Sequence, residues 1–247
     1  MPKPSLAAAR PPRKPNGNAA AIVLLRTNSL PMLVQKELER MISAGDLSAG
    51  AKLNEEAVAE MLGVSRGPVR EAFRGLEEAG LVRLEKNRGV FVRQISVEEA
   101  DEIYEVRAAL DEFVGRRLAQ LRTPELVAEL REHVGRLEKA AARRSLDACA
   151  AANLAFHDRL VELTGNAKLL ATYRRLVNEL NLYRRTALGL KGTVRISTRE
   201  HREIVDRIAA GQGAAAGKAL YDHVIESRAR MRRVAGAKGN GQTKKQS

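Results

Sequence analysis

The chain has 247 residues, with 43 Lys and Arg against 30 Asp and Glu and a formal net charge of +13. That length accommodates one large or two modest domains with a real core. Its single cysteine, Cys149, excludes an intramolecular disulfide and suits a reducing cytoplasm, and the apolar run Ala19 to Leu25 is too short to span a membrane and lacks a signal-peptide pattern.

Residues 1–27 carry five Lys/Arg and no acid, are rich in Pro and Ala, and show no periodicity. They read as a disordered basic tail. From Leu30 to Ala44 the apolar residues Leu33, Val34, Leu38, Met41 and Ile42 recur at helical spacing up to Gly45. A turn, Asp46 to Lys52, leads to a second helix from Asn54 to Leu62 with Ala57, Val58 and Met61 expected inward. Gly63 breaks that helix, and Ser65 is placed to cap a third, which ends near Gly80. Pro68 falls in its first turn, where an amide hydrogen has no helical partner to lose. Val69, Phe73 and Leu76 line one flank, and Arg66, Arg70 and Arg74 line the next. Two β-rich runs, Leu81–Glu85 and Val90–Arg93, surround the loop Lys86–Gly89 and predict a hairpin. Three helices and a hairpin make a winged helix-turn-helix over residues 28–96.

Residues 28–96 hold ten basic and ten acidic side chains, so overall charge is a poor argument for DNA binding. Segregation is a better one. The arginines fall on the third helix and the hairpin, whereas the acids cluster mainly earlier, at Glu37, Glu39, Glu55, Glu56 and Glu60. A short helix with an apolar back and an arginine edge suits the DNA major groove. The low aromatic content, four Phe, four Tyr and no Trp, argues against a single-strand binder built on base stacking.

Residues 97–234 read as wholly helical, with helices near 97–121, 124–143, 146–164, 167–188, 194–210 and 214–234. Short connections favour an antiparallel bundle. The expected fold class is mainly α: an N-terminal winged helix-turn-helix with a small β-hairpin, followed by an all-α bundle. Residues 235–247, with three glycines and three lysines, read as a disordered basic tail.

The run Gly50-Ala51-Lys52-Leu53-Asn54-Glu55, then Ala59-Glu60-Met61-Leu62-Gly63-Val64-Ser65-Arg66-Gly67-Pro68-Val69-Arg70-Glu71-Ala72, resembles the GntR family of bacterial transcription regulators. The resemblance continues through Leu76–Val82 and Asn87–Val90. Residues Tyr104–Arg107, Asn153 through Phe156 and His157, Thr164–Asn166, His201 and His223 resemble the helical FCD ligand-sensing domain of the FadR-type subfamily, and six helices resemble its VanR-type branch. The resemblance implies DNA contacts by Ser65, Arg66 and Arg70 and a minor-groove approach around Gly89. The candidate DNA-contacting set is Ser65, Arg66, Gly67, Pro68, Arg70, Arg74, Arg88 and Gly89. A symmetric homodimer on a palindromic double-stranded operator follows from the few base pairs one winged helix reads. Two departures stand out: Glu56 where several relatives carry arginine, and Asn153 where many carry aspartate.

His157 follows Asn153 by one helical turn, and His201 and His223 lie among apolar residues at helical spacing. Three converging imidazoles can bind Zn²⁺ or another first-row divalent ion. The metal candidates are Asn153, His157, His201 and His223, with affinity weakened by the neutral Asn153. Arg107 flanks the stripe Ile103, Leu110 and Val114; its guanidinium can clamp a carboxylate or pair with Asp111. The candidate effector-binding residues are therefore Arg107 and the same Asn153, His157, His201 and His223. The leading expectation is a cytoplasmic repressor controlled by a small carboxylate metabolite. A metal-dependent enzyme using the three histidines, and a sequence-neutral DNA binder, remain open alternatives at this point.

Overall fold

The computed structural model describes residues 29–188 and 193–243. The expected tail 1–27 lies outside them. Helix α1 (Leu30–Ala44) starts behind Ser29 with a proline in its first turn and buries Val34, Leu38 and Ile42, one helical turn apart. It stops at Gly45, whose φ of 89° needs a residue without a side chain. Helix α2 (Glu55–Leu62) is capped by Asn54, which accepts from the Glu56 and Ala57 amides. Its inward face differs from expectation. Val58 and Ala59 are buried, whereas Ala57 and Met61 are exposed. Eight residues give two turns, closed by a bond from the Val64 amide to the Ala59 carbonyl, and the side packed on the core is that of Val58, Ala59 and Leu62.

Helix α3 (Arg66–Glu78) buries Val69, Ala72, Phe73 and Leu76 essentially completely. Each large member contributes about 1.5–3 kcal/mol of burial. Ser65 occupies the N-cap position in extended conformation, but its hydroxyl makes no capping bond. The hairpin is β2 (Val82–Glu85) and β3 (Gly89–Val92), in register Val82↔Val92 through Glu85↔Gly89. A third strand, β1 (Lys52–Leu53), pairs antiparallel with the other side of β3 and opposes Lys52 to Phe91. The sequence reading placed this stretch at the end of a turn, because two residues carry no period. Its neighbour Ala51 accepts from the Val92 amide, at 2.8 Å, and Gly50 donates to the Val92 carbonyl, at 3.0 Å.

Six helices follow: α4 (Val97–Leu121), α5 (Pro124–Ala142), α6 (Leu146–Glu162), α7 (Ala167–Leu188), α8 (Thr193–Ala209) and α9 (Gly213–Thr243). Ser96, Thr123 and Ser145 cap α4, α5 and α6 with side-chain bonds to the third following amide. The bundle core joins Val114, Leu118, Leu130, Phe156, Leu160 and Leu220, among others. Helices α4 and α9 approach closely through glycine: a Cβ on Gly115 would lie 2.6 Å from the Ala216 carbonyl oxygen. The last helix is described to Thr243, past the end expected at residue 234. The expectation of a disordered tail over 235–247 is corrected to that extent, and residues 244–247 lie outside the described set.

Helix α7 seats the two parts of the molecule on each other. Asn178 donates to the Ala79 carbonyl at 3.0 Å, Asn181 to the Ser43 hydroxyl at 3.3 Å, and Glu179 lies 3.6 Å from Arg93. Among the described residues no helix is long and apolar enough to cross a membrane.

Candidate nucleic-acid interface and buried histidine centre

The N-terminal end of α3 is open. Ser65, Arg66, Gly67, Arg70 and Arg74 are all exposed, and Pro68 is half-buried in the first turn. With its cap bond unmade, the Ser65 hydroxyl is left to a partner outside the chain, beside the positive end of the helix. A Cβ on Gly67 would meet nothing within 4 Å, so this position is a bare patch of helix surface. Arg66 and Arg70 do not project alone. Arg66 is paired with Glu56, and Arg70 Nε lies 2.7 Å from Glu55 Oε2, both acids from the first turn of α2. The pairs are solvent-exposed and worth at most about 1 kcal/mol each, so they orient the guanidiniums without locking them. Arg74 makes no ion pair among the described residues.

At the hairpin, Asn87 and Gly89 take positive φ values of 63° and 109°, which turn the chain and leave Arg88 outward. Arg88 lies 2.6 Å from Glu85. Lys52, Arg83 and Arg88 gather around the Phe91 ring, with cation-to-centroid distances of 5.8–6.0 Å. The wing thus presents three cations packed on an aromatic platform.

Inside the bundle the three predicted histidines meet. His157 from α6, His201 from α8 and His223 from α9 are each at most 4 % exposed. Their Nε2 atoms converge, His157 to His223 at 3.1 Å and His201 to His223 at 3.2 Å. Three nitrogens around one zinc at ~2.05 Å would be separated by about 3.3 Å. The spacing fits a shared first-row ion, and these three imidazoles would hold it. Asn153 is buried one turn before His157 on α6 and faces the same interior.

Two carboxylates outside the predicted ligand set support this centre. Glu200 Oε2 lies 2.6 Å from His223 Nδ1 and is itself held by Arg230, at 3.2 Å. Burial pushes His223 down, more than Glu200 pulls it up, and the Arg230 and Arg107 charges push the same way as burial. A neutral His223 donating from Nδ1 to Glu200 has its Nε2 lone pair aimed at the shared point, the arrangement common to metal-binding histidines. Burial pushes Glu200 up, but His223 and Arg230 outweigh it and hold the carboxyl below its ordinary range.

Asp111, named in sequence only as a partner for Arg107, is the second. It lies 3.9 Å from His157 Nδ1 and accepts from the Tyr173 hydroxyl at 3.1 Å. Arg107 is 2 % exposed; its Nη2 donates to Tyr173 at 2.7 Å and reaches Asp111 at 3.4 Å. Arg107 is therefore a buried, internally paired cation rather than a free clamp, although its Nε has no partner among the described residues. The i+4 spacing to Asp111 was visible in sequence; Tyr173 and Glu200 come from other helices, and only the fold joins them.

An exposed arginine-edged helix beside a wing, carried on a second, helical domain with a buried histidine centre, defines a DNA-binding regulator. The comparisons agree. Residues 33–92 match the model described as "Bacterial regulatory proteins, gntR family", and residues 102–226 match the FCD domain. The chain belongs to the GntR family of bacterial regulators and carries an FCD domain.

It is 33% identical over 186 residues to the "Probable D-xylose utilization operon transcriptional repressor" of Paenarthrobacter nicotinovorans, covering 74% of this chain and 80% of that one. The HTH-type transcriptional repressor RspR of Escherichia coli K12 is 26% identical over 208 residues, 84% of this chain and 91% of that one. A GntR transcriptional regulator structure from Rhodococcus sp. RHA1 superposes with a TM-score of 0.69 at 28% identity, over 83% of this chain and 98% of that one. Membership of this family also answers the enzymatic alternative: the chain is a regulator and not an enzyme.

Proposed function

We propose that this chain is a cytoplasmic repressor that binds a palindromic operator as a homodimer and is controlled by a small carboxylate effector. Residues 28–96 read DNA and residues 97–234 sense the effector. The single observation that carries the sensing role is the convergence of the His157, His201 and His223 Nε2 atoms in a buried interior. A bound divalent ion would supply a Lewis acid for one effector oxygen. The chain's own residues do the rest. Glu200 fixes the His223 tautomer, Arg230 holds Glu200, and Asp111 holds Arg107 beside the centre. The neutral Asn153 leaves the histidine centre more cationic than an aspartate would, which favours an anionic guest.

Coupling to DNA is supported by α7. Tyr173 bonds Arg107 and Asp111 beside the histidine centre, and Asn178 and Asn181, one to two turns on, hold Ala79 after α3 and Ser43 at the end of α1. A guest that shifts Tyr173 acts on the seat of the winged helix.

The test uses the full chain, duplexes selected by it from a random-sequence pool, and fluorescence anisotropy. Arg66→Ala is expected to weaken selected-duplex binding about 5- to 150-fold, equivalent to ~1–3 kcal/mol for a lost base contact. In parallel, Zn²⁺ is expected to raise the melting temperature of the chelator-treated protein, and His157→Ala to abolish the rise. An unshifted melting temperature, or equal affinity for selected and scrambled duplexes, refutes the corresponding half of the reading.

A further inference from the structure

Glu55 and Glu56 open α2, a favourable place for acids at the positive end of a helix. The fold then lays this turn against the start of α3. Glu56 meets Arg66, and Glu55 meets Arg70 at 2.7 Å. The two acids differ in setting. The Glu55 side chain is 35% exposed, whereas Glu56 is 70% exposed and its Arg66 partner 55%. Glu56 thus carries an open negative charge on the face where Arg66 would approach DNA.

A carboxylate at that place has two consequences for a polyanion. It repels phosphate, and so subtracts from the sequence-independent attraction that dominates non-specific binding. It also occupies one side of the Arg66 fork, leaving the remaining donors for a planar acceptor pair such as guanine O6 and N7, while a neighbouring cytosine amino group can donate to the carboxylate itself. Both effects favour a matched base step over bare backbone. We propose that Glu56 is a specificity-determining residue: paired with Arg66, it sets the fork toward base edges and penalises phosphate-only binding. This rests on Arg66 being a DNA-contacting residue, as proposed above.

The experiment measures anisotropy titrations of the full chain against a selected duplex and a scrambled duplex of equal composition, over a series of KCl concentrations. Glu56→Gln is expected to tighten scrambled-duplex binding about threefold, the factor for removing one charge some 7 Å from a phosphate in water. The ratio of the two affinities should shrink by at least that factor. Glu56→Arg should shrink it further and steepen the salt dependence by about one unit, as one added phosphate contact would. Glu60→Gln is the control: Glu60 is exposed on the same helix without an α3 partner among the described residues, and the ratio should stay unchanged. An unaltered ratio in both Glu56 variants, with Arg66→Ala still impairing the selected duplex, overturns the role of Glu56 alone. If Arg66→Ala has no effect either, the underlying reading of Arg66 fails as well.

Discussion

Asp111→Ala isolates the energetics of the buried polar network. Asp111 is fully buried and Arg107 is 2% exposed, and Asp111 is the only carboxylate paired with Arg107 among the described residues. Burial works against the guanidinium charge, yet Tyr173 and Asp111 outweigh it and hold Arg107 protonated more firmly than usual. Removing the acid leaves a buried cation whose remaining hydrogen-bond partner among the described residues is the Tyr173 hydroxyl, so the expected cost is about 3–5 kcal/mol. At roughly 2–4 °C per kcal/mol for a chain of this size, the melting temperature should fall about 6–20 °C.

Asp158→Ala supplies the scale. It breaks a pair to Arg174 made of two 2.7 Å bonds, but one that is solvent-exposed, and should cost about 1 kcal/mol or less. Circular dichroism melts of the two variants give the comparison. The double change Arg107→Met with Asp111→Leu should recover much of the loss, because it removes both charges and refills the space. If Asp111→Ala melts no lower than Asp158→Ala, the network does not hold the bundle together as described.

Two further outcomes follow from packing. Gly115→Ala places a methyl 2.6 Å from the Ala216 carbonyl oxygen and 2.8 Å from the Gly217 amide, so α4 and α9 must separate; urea unfolding should show a loss of about 1–3 kcal/mol or more, and wild-type stability would refute the close approach. Cys149 is 2% exposed, and burial pushes its thiol up, so it is protonated and shielded at neutral pH. A chromogenic disulfide reagent should label it at least about tenfold more slowly in the native chain than in urea, a factor needing only ~1.4 kcal/mol of opening.

Most of the architecture was legible because it is written in local signals. Helical spacing, the cap position at Ser65 and the stops at Gly45 and Gly63 placed the helices within a residue or two of where they lie, except for the end of the last, expected at 234 and described to Thr243. The three histidines were legible for the same reason, each sitting on an apolar helical stripe. What failed to show had no local period. Strand β1 is two residues long and exists only because β3 offers it an edge. The face of α2 was not fixed by its own pattern, because eight residues make only two turns. Tyr173, Glu200 and Arg230 are polar residues on helices with many others, and nothing in their neighbours distinguishes them until the bundle brings them to His223 and Arg107.

The acids of the DNA-binding unit show how sequence distance misleads. Their position before the recognition helix suggested a separated charge pattern, arginines later and glutamates earlier, and hence a basic face. The fold undoes part of that separation, because the helix-turn-helix brings the first turn of α2 beside the first turn of α3. The ten residues along the chain from Glu56 to Arg66 and the fifteen from Glu55 to Arg70 become irrelevant once each pair is in contact. The face is therefore amphoteric at its leading edge and cationic at its flanks, where Arg74 and the Phe91-backed cations of the wing stand. In the DNA complex proposed above, such an arrangement would not draw its affinity from charge density at the groove floor. Attraction to the backbone would come from the flanks, and discrimination would fall to the few mixed-charge pairs in the middle, where a mismatched base would leave an arginine or a glutamate without its partner.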